Sequence, residues 1–179
     1  MHFVIEVKDT GVQAVFNRMI QMGQDTGPIL RVLGEHETAR IKQRFQTMTA
    51  PDGTRWQANA QSTIERYIYG KGGFSKKTGK ITSRGKATAM GKRPLQGESG
   101  DLARQIDYSV NGDSVTIGSN QIQAAMQNFG GAKAEFPNLW GDIPGRPFMP
   151  VMANGMLYAD EERDIIEVIN GELLRGLEG

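Results

Sequence analysis

The chain has 179 residues, the size of one ordinary domain, but only 38% of them are hydrophobic and 23 are glycines. We therefore expect a single domain over residues 1–179, with a modest core and long irregular segments. The absence of cysteine excludes a disulfide framework and thiolate catalysis, and no apolar stretch is long enough to span a membrane.

The net charge of +1 hides an uneven distribution. Residues 66–93 hold nine basic side chains and no acidic one, so the rest of the chain carries +1 minus 9, or −8. Such a segment indicates an anionic partner or association between unlike patches, and a solvated loop is the plain alternative. The candidates for contact with DNA or an acidic partner are Lys71, Lys76, Lys77, Lys80, Arg84, Lys86, Lys92 and Arg93.

The first seventy residues predict a short strand and three helices. Residues 3–7 are apolar and β-branched, as in a strand. Apolar residues at helical spacing after a capping-box pattern predict a helix over residues 10–22, and a second helix follows over about 26–48. Another capping-box pattern, beginning at Ser62, predicts a helix that ends near residue 69.

A tight turn separates the second and third helices. Pro51-Asp52-Gly53 has the composition of such a turn, because Pro sets φ at one corner and Gly tolerates positive φ at another. Trp56 follows the turn and is a large anchor. It either closes the end of the core or contacts a neighbouring subunit.

Regular structure is expected to be lost between Gly70 and Gly100. Eight glycines stand there among lysines, serines and threonines, with too few apolar side chains to offset the entropy of ordering. We expect a long Gly/Lys-rich loop, a basic flexible insertion at about residues 70–98. Its Gly-Lys groupings lack the spacing of a phosphate-binding P-loop.

The second half of the chain predicts a hairpin and two helices. Alternating residues around Asn111-Gly112 indicate a β-hairpin over 106–118. A short helix over 121–129 and a proline-rich irregular segment follow, and a final helix covers about 160–177. The expected fold is α+β, a small antiparallel sheet with the hairpin packed by the N-terminal and C-terminal helices.

The sequence offers no catalytic constellation. Two histidines and no cysteine leave few ways to build a transition-metal site, and His36 fits an ordinary helix position. The nucleophile elbow and the zinc-protease motif are absent, and the pair Glu161/Glu162 suits a helix N-terminus. We therefore expect no enzyme activity, no cofactor and no metal site.

A series of short motifs resembles a known family. Pro51-Asp52-Gly53-Thr54-Arg55-Trp56 precedes the basic loop, and Ser99-Gly100-Asp101-Leu102 and the hairpin follow it. Phe129-Gly130-Gly131, Arg146-Pro147-Phe148 and a C-terminal helix complete the series. In this order the motifs resemble the phage virion morphogenesis or tail completion proteins, of the type found in phages Mu and P2. The chain departs in having Ser99 for a Thr, and it lacks a Tyr and a His before the paired glycines.

The resemblance implies a structural virion protein of the head–tail junction, or neck. It implies a ring-forming tail completion, terminator or head–tail joining subunit, a hexamer by analogy, found in the virion and in the host cytoplasm during assembly. The implied partners are other copies, neighbouring neck, connector or tail-tube and sheath proteins, and genomic DNA passing through the ring, with no membrane. The alternative is a nucleic-acid-binding module that acts through residues 66–93.

A ring needs complementary surfaces that close by rotation. The residues that we assign to them are Trp56, Phe129, Gly130, Gly131, Trp140, Arg146, Pro147 and Phe148. We expect the excursion, residues 132–145, to touch a neighbouring subunit while its two ends serve the subunit's own fold.

Overall fold

The computed structural model describes residues 10–21, 25–97, 99–139 and 141–177. The strand predicted at residues 3–7 and the side chain of Trp140 lie outside this part of the chain. The elements in chain order are α1 (Thr10–Gln21), α2 (Gly27–Thr47), α3 (Gln61–Gly70), α4 (Ser83–Gly91), α5 (Asp101–Arg104), β1 (Ile106–Asn111), β2 (Ser114–Ser119), α6 (Ala124–Phe129) and α7 (Ala159–Leu177). The predicted α+β class is confirmed.

Helix α2 is the central element, because both hairpin strands, α5 and α7 pack against it. Pro28 lies in its first turn, where a missing N–H leaves no hydrogen bond unmade. The helix ends where Met48 adopts a left-handed conformation with φ 58° and donates its N–H to the Arg44 carbonyl at 2.7 Å.

The hairpin forms where the sequence predicts it. β1 and β2 pair antiparallel from Ile106 opposite Ser119 to Asn111 opposite Ser114. The two loop residues are Gly112 and Asp113, one position later than the expected Asn-Gly centre, and Gly112 has the positive φ of 56° that such a turn requires.

The core lies between α2, α7, the hairpin and the segment 148–157. Its fully buried members include Ile41, Ile106, Phe148 and Ile169. Phe45 packs against two core members, Trp56 and Phe148, with ring centroids 5.4 Å and 5.0 Å away, respectively. Aromatic pairs at these distances add to the stabilisation from burial alone.

The expectation that regular structure is lost from Gly70 to Gly100 is wrong over α4. The Thr82 hydroxyl caps this helix by accepting from the Gly85 N–H at 3.1 Å. α4 packs on α3, where a Cβ on Gly85 would lie only 2.2 Å from the Gly73 carbonyl oxygen. Glycine here allows two backbone segments to pack closely and so stabilises regular structure. The glycine content alone does not predict this role. The flexibility of the basic insertion stays a prediction.

Two smaller differences concern helix starts. The predicted capping box at Ser62 is wrong, because α3 begins at Gln61 after Ala60, with no side-chain cap. The sequence pattern does not predict the four-residue helix α5, which begins after Gly100, whose φ of 66° places it in the left-handed region.

Candidate assembly site

The exit from α6 is a sharp turn built on glycine. Gly130 has φ 79° and ψ −177°, and a Cβ there would lie 2.7 Å from the Gly145 backbone nitrogen. Gly131 and Ile143 exchange hydrogen bonds, N–H to carbonyl, at 2.9 and 2.8 Å. The prediction of a sharp exit is confirmed, and the excursion is a loop whose two ends touch.

The described tip of the excursion is exposed. Residues 133–138 all lie at the surface, and 45% of Phe136 is open to solvent. The Lys133 N–H donates to Asp142 Oδ1 at 2.7 Å, which ties the rising and returning arms together. The loop therefore presents an apolar ring to solvent from a fixed base.

Asn128 binds the returning chain to α6. This side chain is fully buried, and its Oδ1 accepts from the N–H groups of Phe148 and Met149 at 2.8 and 2.9 Å. The Arg146 N–H donates to the Gln127 carbonyl at 2.9 Å. A single buried amide therefore replaces a strand partner for two backbone donors, which would otherwise be unsatisfied.

Trp56, Pro147 and Phe148 form one buried cluster. The Trp56 indole Nε1–H donates to the Pro147 carbonyl at 2.8 Å, and the Phe148 carbonyl accepts from Arg44 Nη1 at 2.7 Å. Phe148 is 0% exposed. The prediction that Phe148 anchors the returning chain is confirmed, and Trp56 closes the end of the core.

Arg146 is a buried cation held by carbonyl groups. It is 7% exposed, and its Nε and Nη2 donate to the carbonyls of Gln57 and Ala58 at 2.8 and 3.1 Å. Among the described residues no carboxylate pairs with it, and burial lowers the pKa of its guanidinium. Arg146 lines a cleft of about 520 Å³, here called the Arg146 cleft, whose wall includes Gln57, Asn59, Lys92, Gln121, Gln123 and Gln127.

The structure thus brings most of the predicted assembly residues together. Trp56, Arg146, Pro147 and Phe148 form the anchor, and Phe129, Gly130 and Gly131 join it through the contact with Gly145. Trp140 lies outside the described residues. The assignment of these residues to a contact between subunits stays a prediction.

The eight candidate basic residues surround α3 and α4. Seven are exposed, and Lys92 is half-buried. The ammonium groups of Lys92 and Lys71 lie 4.7 and 5.8 Å from the centroid of the Tyr67 ring, within the range of cation–π attraction. Their contact with DNA or with an acidic partner stays a prediction.

A buried ionic network joins α2 to α7, and the sequence analysis missed it. Glu161, fully buried, accepts from Arg40 Nη2 at 2.6 Å and from Arg44 Nη2. Asp164 contacts Arg40 Nη1 and His36 Nε2, both at 2.7 Å. The spacing of His36, Arg40 and Arg44, four residues apart, was the available signal, because such residues share one helix face.

Glu37 is a second buried charged residue that the sequence does not predict. It is 1% exposed, and neither carboxyl oxygen has a hydrogen-bond partner in the described structure. Burial first, and then the charge of Glu161, raises its pKa to about 7. It lines a mostly apolar cavity of about 220 Å³ between α2, β2 and α7.

These residues also hold the described donor atoms best placed for a metal ion. Ligand atoms of His36, Glu37 and Asp164 lie within 4.8 Å of one another. Both Asp164 oxygens already bind neighbours, however, and the Arg40 guanidinium beside them would repel a cation. The arrangement is that of an ion-pair network between two helices.

Comparison with protein families identifies the chain. Residues 7–173 match the model of the phage virion morphogenesis family, and the chain belongs to that family. Its role is therefore structural, in the assembly of the phage particle. Comparisons with curated proteins and with solved structures give no match. None of the described helices has the length and apolar character of a membrane-spanning segment.

Proposed function

We propose that this protein is a ring-forming subunit of the phage head–tail junction, acting in tail completion or in head–tail joining. Copies contact one another through the excursion, and the ring is a hexamer by analogy with the phage neck. The wider partners are neck, connector or tail-tube and sheath proteins, with the genome passing through the lumen. The observation that carries the proposal is the excursion itself, an exposed loop on a buried anchor.

The division between anchor and loop suits an assembly protein. Asn128, Trp56 and Phe148 hold the base of the excursion inside the subunit, while Phe136 at its tip lies outside the core cluster and is 45% exposed. A partner that covered this ring would remove apolar area from water and so would favour association. A closed ring supplies that partner from the next copy.

The test is to measure the assembly state and the location of the protein. Native mass spectrometry of the purified chain should give one ring stoichiometry, and reconstruction of the phage particle should place it at the head–tail junction. A chain that stays monomeric at all concentrations and is missing from the particles would refute the proposal.

The second candidate function is binding of nucleic acid through residues 66–93. The exposed basic side chains around α3 and α4 support it, because they neutralise phosphates without needing a specific pocket. Changing Lys76, Lys77, Lys80 and Lys86 to Gln should lower DNA affinity and flatten its dependence on salt. These four substitutions are a better test than deletion of the segment. Ile68 packs against Gly73, so a deletion would expose the contact between α3 and α4 to solvent.

The two functions give different results in the same variants. If the basic side chains face the lumen, the Lys→Gln variant still forms rings but binds DNA less tightly. If they contact an acidic neighbouring copy, the variant fails to form rings. DNA binding that does not respond to salt would contradict the phosphate-contact model.

A further inference from the structure

Arg146 is a buried cation whose charge is only partly balanced by the described residues. Arg146 as a residue is 7% exposed, and among the described residues its guanidinium is bonded only to the carbonyls of Gln57 and Ala58. Buried cations normally have an anionic partner, because carbonyl dipoles offset only part of the cost of leaving water. The partner is missing among the described residues, and Arg146 lines an open cleft.

The wall of the cleft suits a short peptide. Side-chain amides of Gln57, Gln121, Gln123 and Gln127 can donate to and accept from an extended backbone. Its two described carboxylates, Asp101 and Asp142, are engaged elsewhere, with Arg104 and with the Lys133 N–H. The volume of about 520 Å³ lies in the range of ordinary ligand sites.

The tip of the excursion carries a group that fits this cleft. Glu135 is exposed and its carboxylate has no hydrogen bond or ion pair among the described residues. It stands next to Phe136, which is 45% exposed. Among the described residues Glu135 makes no contact with Arg146 of its own chain, although Asp142 and Ile143 of the same excursion line the cleft. A bond between these two side chains would therefore join two copies.

We infer that the Arg146 cleft is the receptor for the excursion of a second copy, with the Glu135 carboxylate bonded to the Arg146 guanidinium and Phe136 covered by the cleft wall. The inference rests on the proposed function and specifies its contact. The Glu135 carboxylate and the Arg146 guanidinium then form a charge-assisted hydrogen bond that is shielded from water. Such bonds are stronger than those between neutral groups.

A DNA backbone fits the same cation less well. Duplex DNA brings a row of phosphates to an open surface, whereas Arg146 lies in the wall of a cleft that also includes Asp101 and Asp142. One carboxylate on a narrow loop avoids those two charges more easily than a polyanion does. The exposed cations that suit DNA lie instead around α3 and α4.

The first test uses the absence of cysteine in the chain. Ala134→Cys places a thiol beside Glu135 and leaves the carboxylate intact, and Gln123→Cys places one on the cleft wall. Mixing the two singly substituted chains under mild oxidation should give an intermolecular disulfide. Gln43→Cys, exposed on α2 and away from the cleft, replaces Gln123→Cys in the control mixture.

The second test removes the charge. Glu135→Gln should raise the concentration needed for self-association at least about ten-fold, and Gln123→Glu should do the same by repelling the carboxylate. Glu167→Gln, which removes an exposed carboxylate from α7, is the matched control and should assemble normally.

The outcomes separate this contact from the ring proposal. Normal rings from Glu135→Gln, or equal crosslinking to Gln123→Cys and Gln43→Cys, overturn the contact and leave the ring proposal standing. A parent chain that never self-associates overturns both. Loss of DNA binding in Gln123→Glu, with unchanged assembly, would assign the cleft to nucleic acid and overturn the inference.

Discussion

Glu37 places an ionisable group where little water reaches it. In the folded chain its pKa is raised from 4.5 to about 7, by burial and by Glu161, while the unfolded chain keeps the ordinary value. The folded state therefore holds a proton that the unfolded state loses between these two values. The resulting stability is complete below pH 4.5 and is lost as the pH rises to about 7.

Glu37→Gln should remove this pH dependence. We expect the variant to exceed the parent in free energy of unfolding at pH 8 by on the order of 3 kcal/mol, since each unit of pKa shift corresponds to 1.36 kcal/mol. The two should differ little at pH 4.5. Urea unfolding at both pH values measures the difference, with Glu167→Gln as an exposed control that should follow the parent. If the free energy of unfolding changed equally with pH in the parent and in Glu37→Gln, Glu37 would not be desolvated.

Phe148 is the residue on which the returning end of the excursion depends. Phe148→Ala should reduce the free energy of unfolding by roughly 3–5 kcal/mol, because the site is fully buried against Phe45 and cannot collapse around alanine. Phe148→Leu keeps most of the apolar volume and should cost less than about 1.5 kcal/mol. Chemical denaturation of both variants provides the comparison. Equal losses would show that the aromatic ring is not packed as described.

At the scale of elements, the contact of α4 with the segment that follows α3 depends on two glycines, Gly85 in α4 and Gly73 just after α3. Gly85→Ala puts a methyl group 2.2 Å from the Gly73 carbonyl oxygen, and backbone cannot move aside as a side chain can. We expect a loss of about 1–3 kcal/mol and faster amide exchange at the Thr82 N–H, which donates to the Gly73 carbonyl at 2.9 Å.

Gly91→Ala is the matched control. It also lies in α4, but its added Cβ would meet nothing within 4 Å. Alanine favours helix over glycine, so this variant should be neutral or slightly more stable. If both substitutions have the same effect, the close approach of the two backbones is not what holds α4 in place.

The sequence predicts the elements whose signal is periodic. α2, the hairpin and α7 appear within one or two residues of their predicted bounds, because many residues contribute to each pattern. α4 could not be predicted, since its stabilising contact is between glycine backbones and leaves no apolar pattern. The buried ionic network could not be predicted for a related reason. In the sequence Arg44 and Glu161 look like surface charges, and only the packing of α2 on α7 brings them together.

Some features of the candidate site can likewise be predicted from the sequence and others cannot. The glycine turn at Gly130 and the anchor at Phe148 follow from local chemistry and were predictable. The buried state of Arg146 depends on carbonyls of Gln57 and Ala58, nearly ninety residues away in sequence, so no local pattern contains it.

For the whole molecule, the question is which large side chains serve the subunit and which serve its neighbours. Trp140→Ala should impair ring formation while leaving the melting temperature of the monomer nearly unchanged, because we expect the excursion to contact a neighbouring copy. Phe148→Ala should do the opposite. Native mass spectrometry and thermal unfolding of the two variants measure the division, and an exchange of these phenotypes would overturn it.

Because Gly130 touches Gly145, the excursion begins and ends at one point of the surface. A chain segment closed at its base can change in length or sequence without a corresponding change in the domain that carries it, since each doubling of a loop costs only about 0.6 kcal/mol. The excursion is therefore an exchangeable module. A peptide tag inserted after Asn138 would mark the position of each copy in the phage particle, and a transplanted excursion would carry its choice of neighbour to another scaffold.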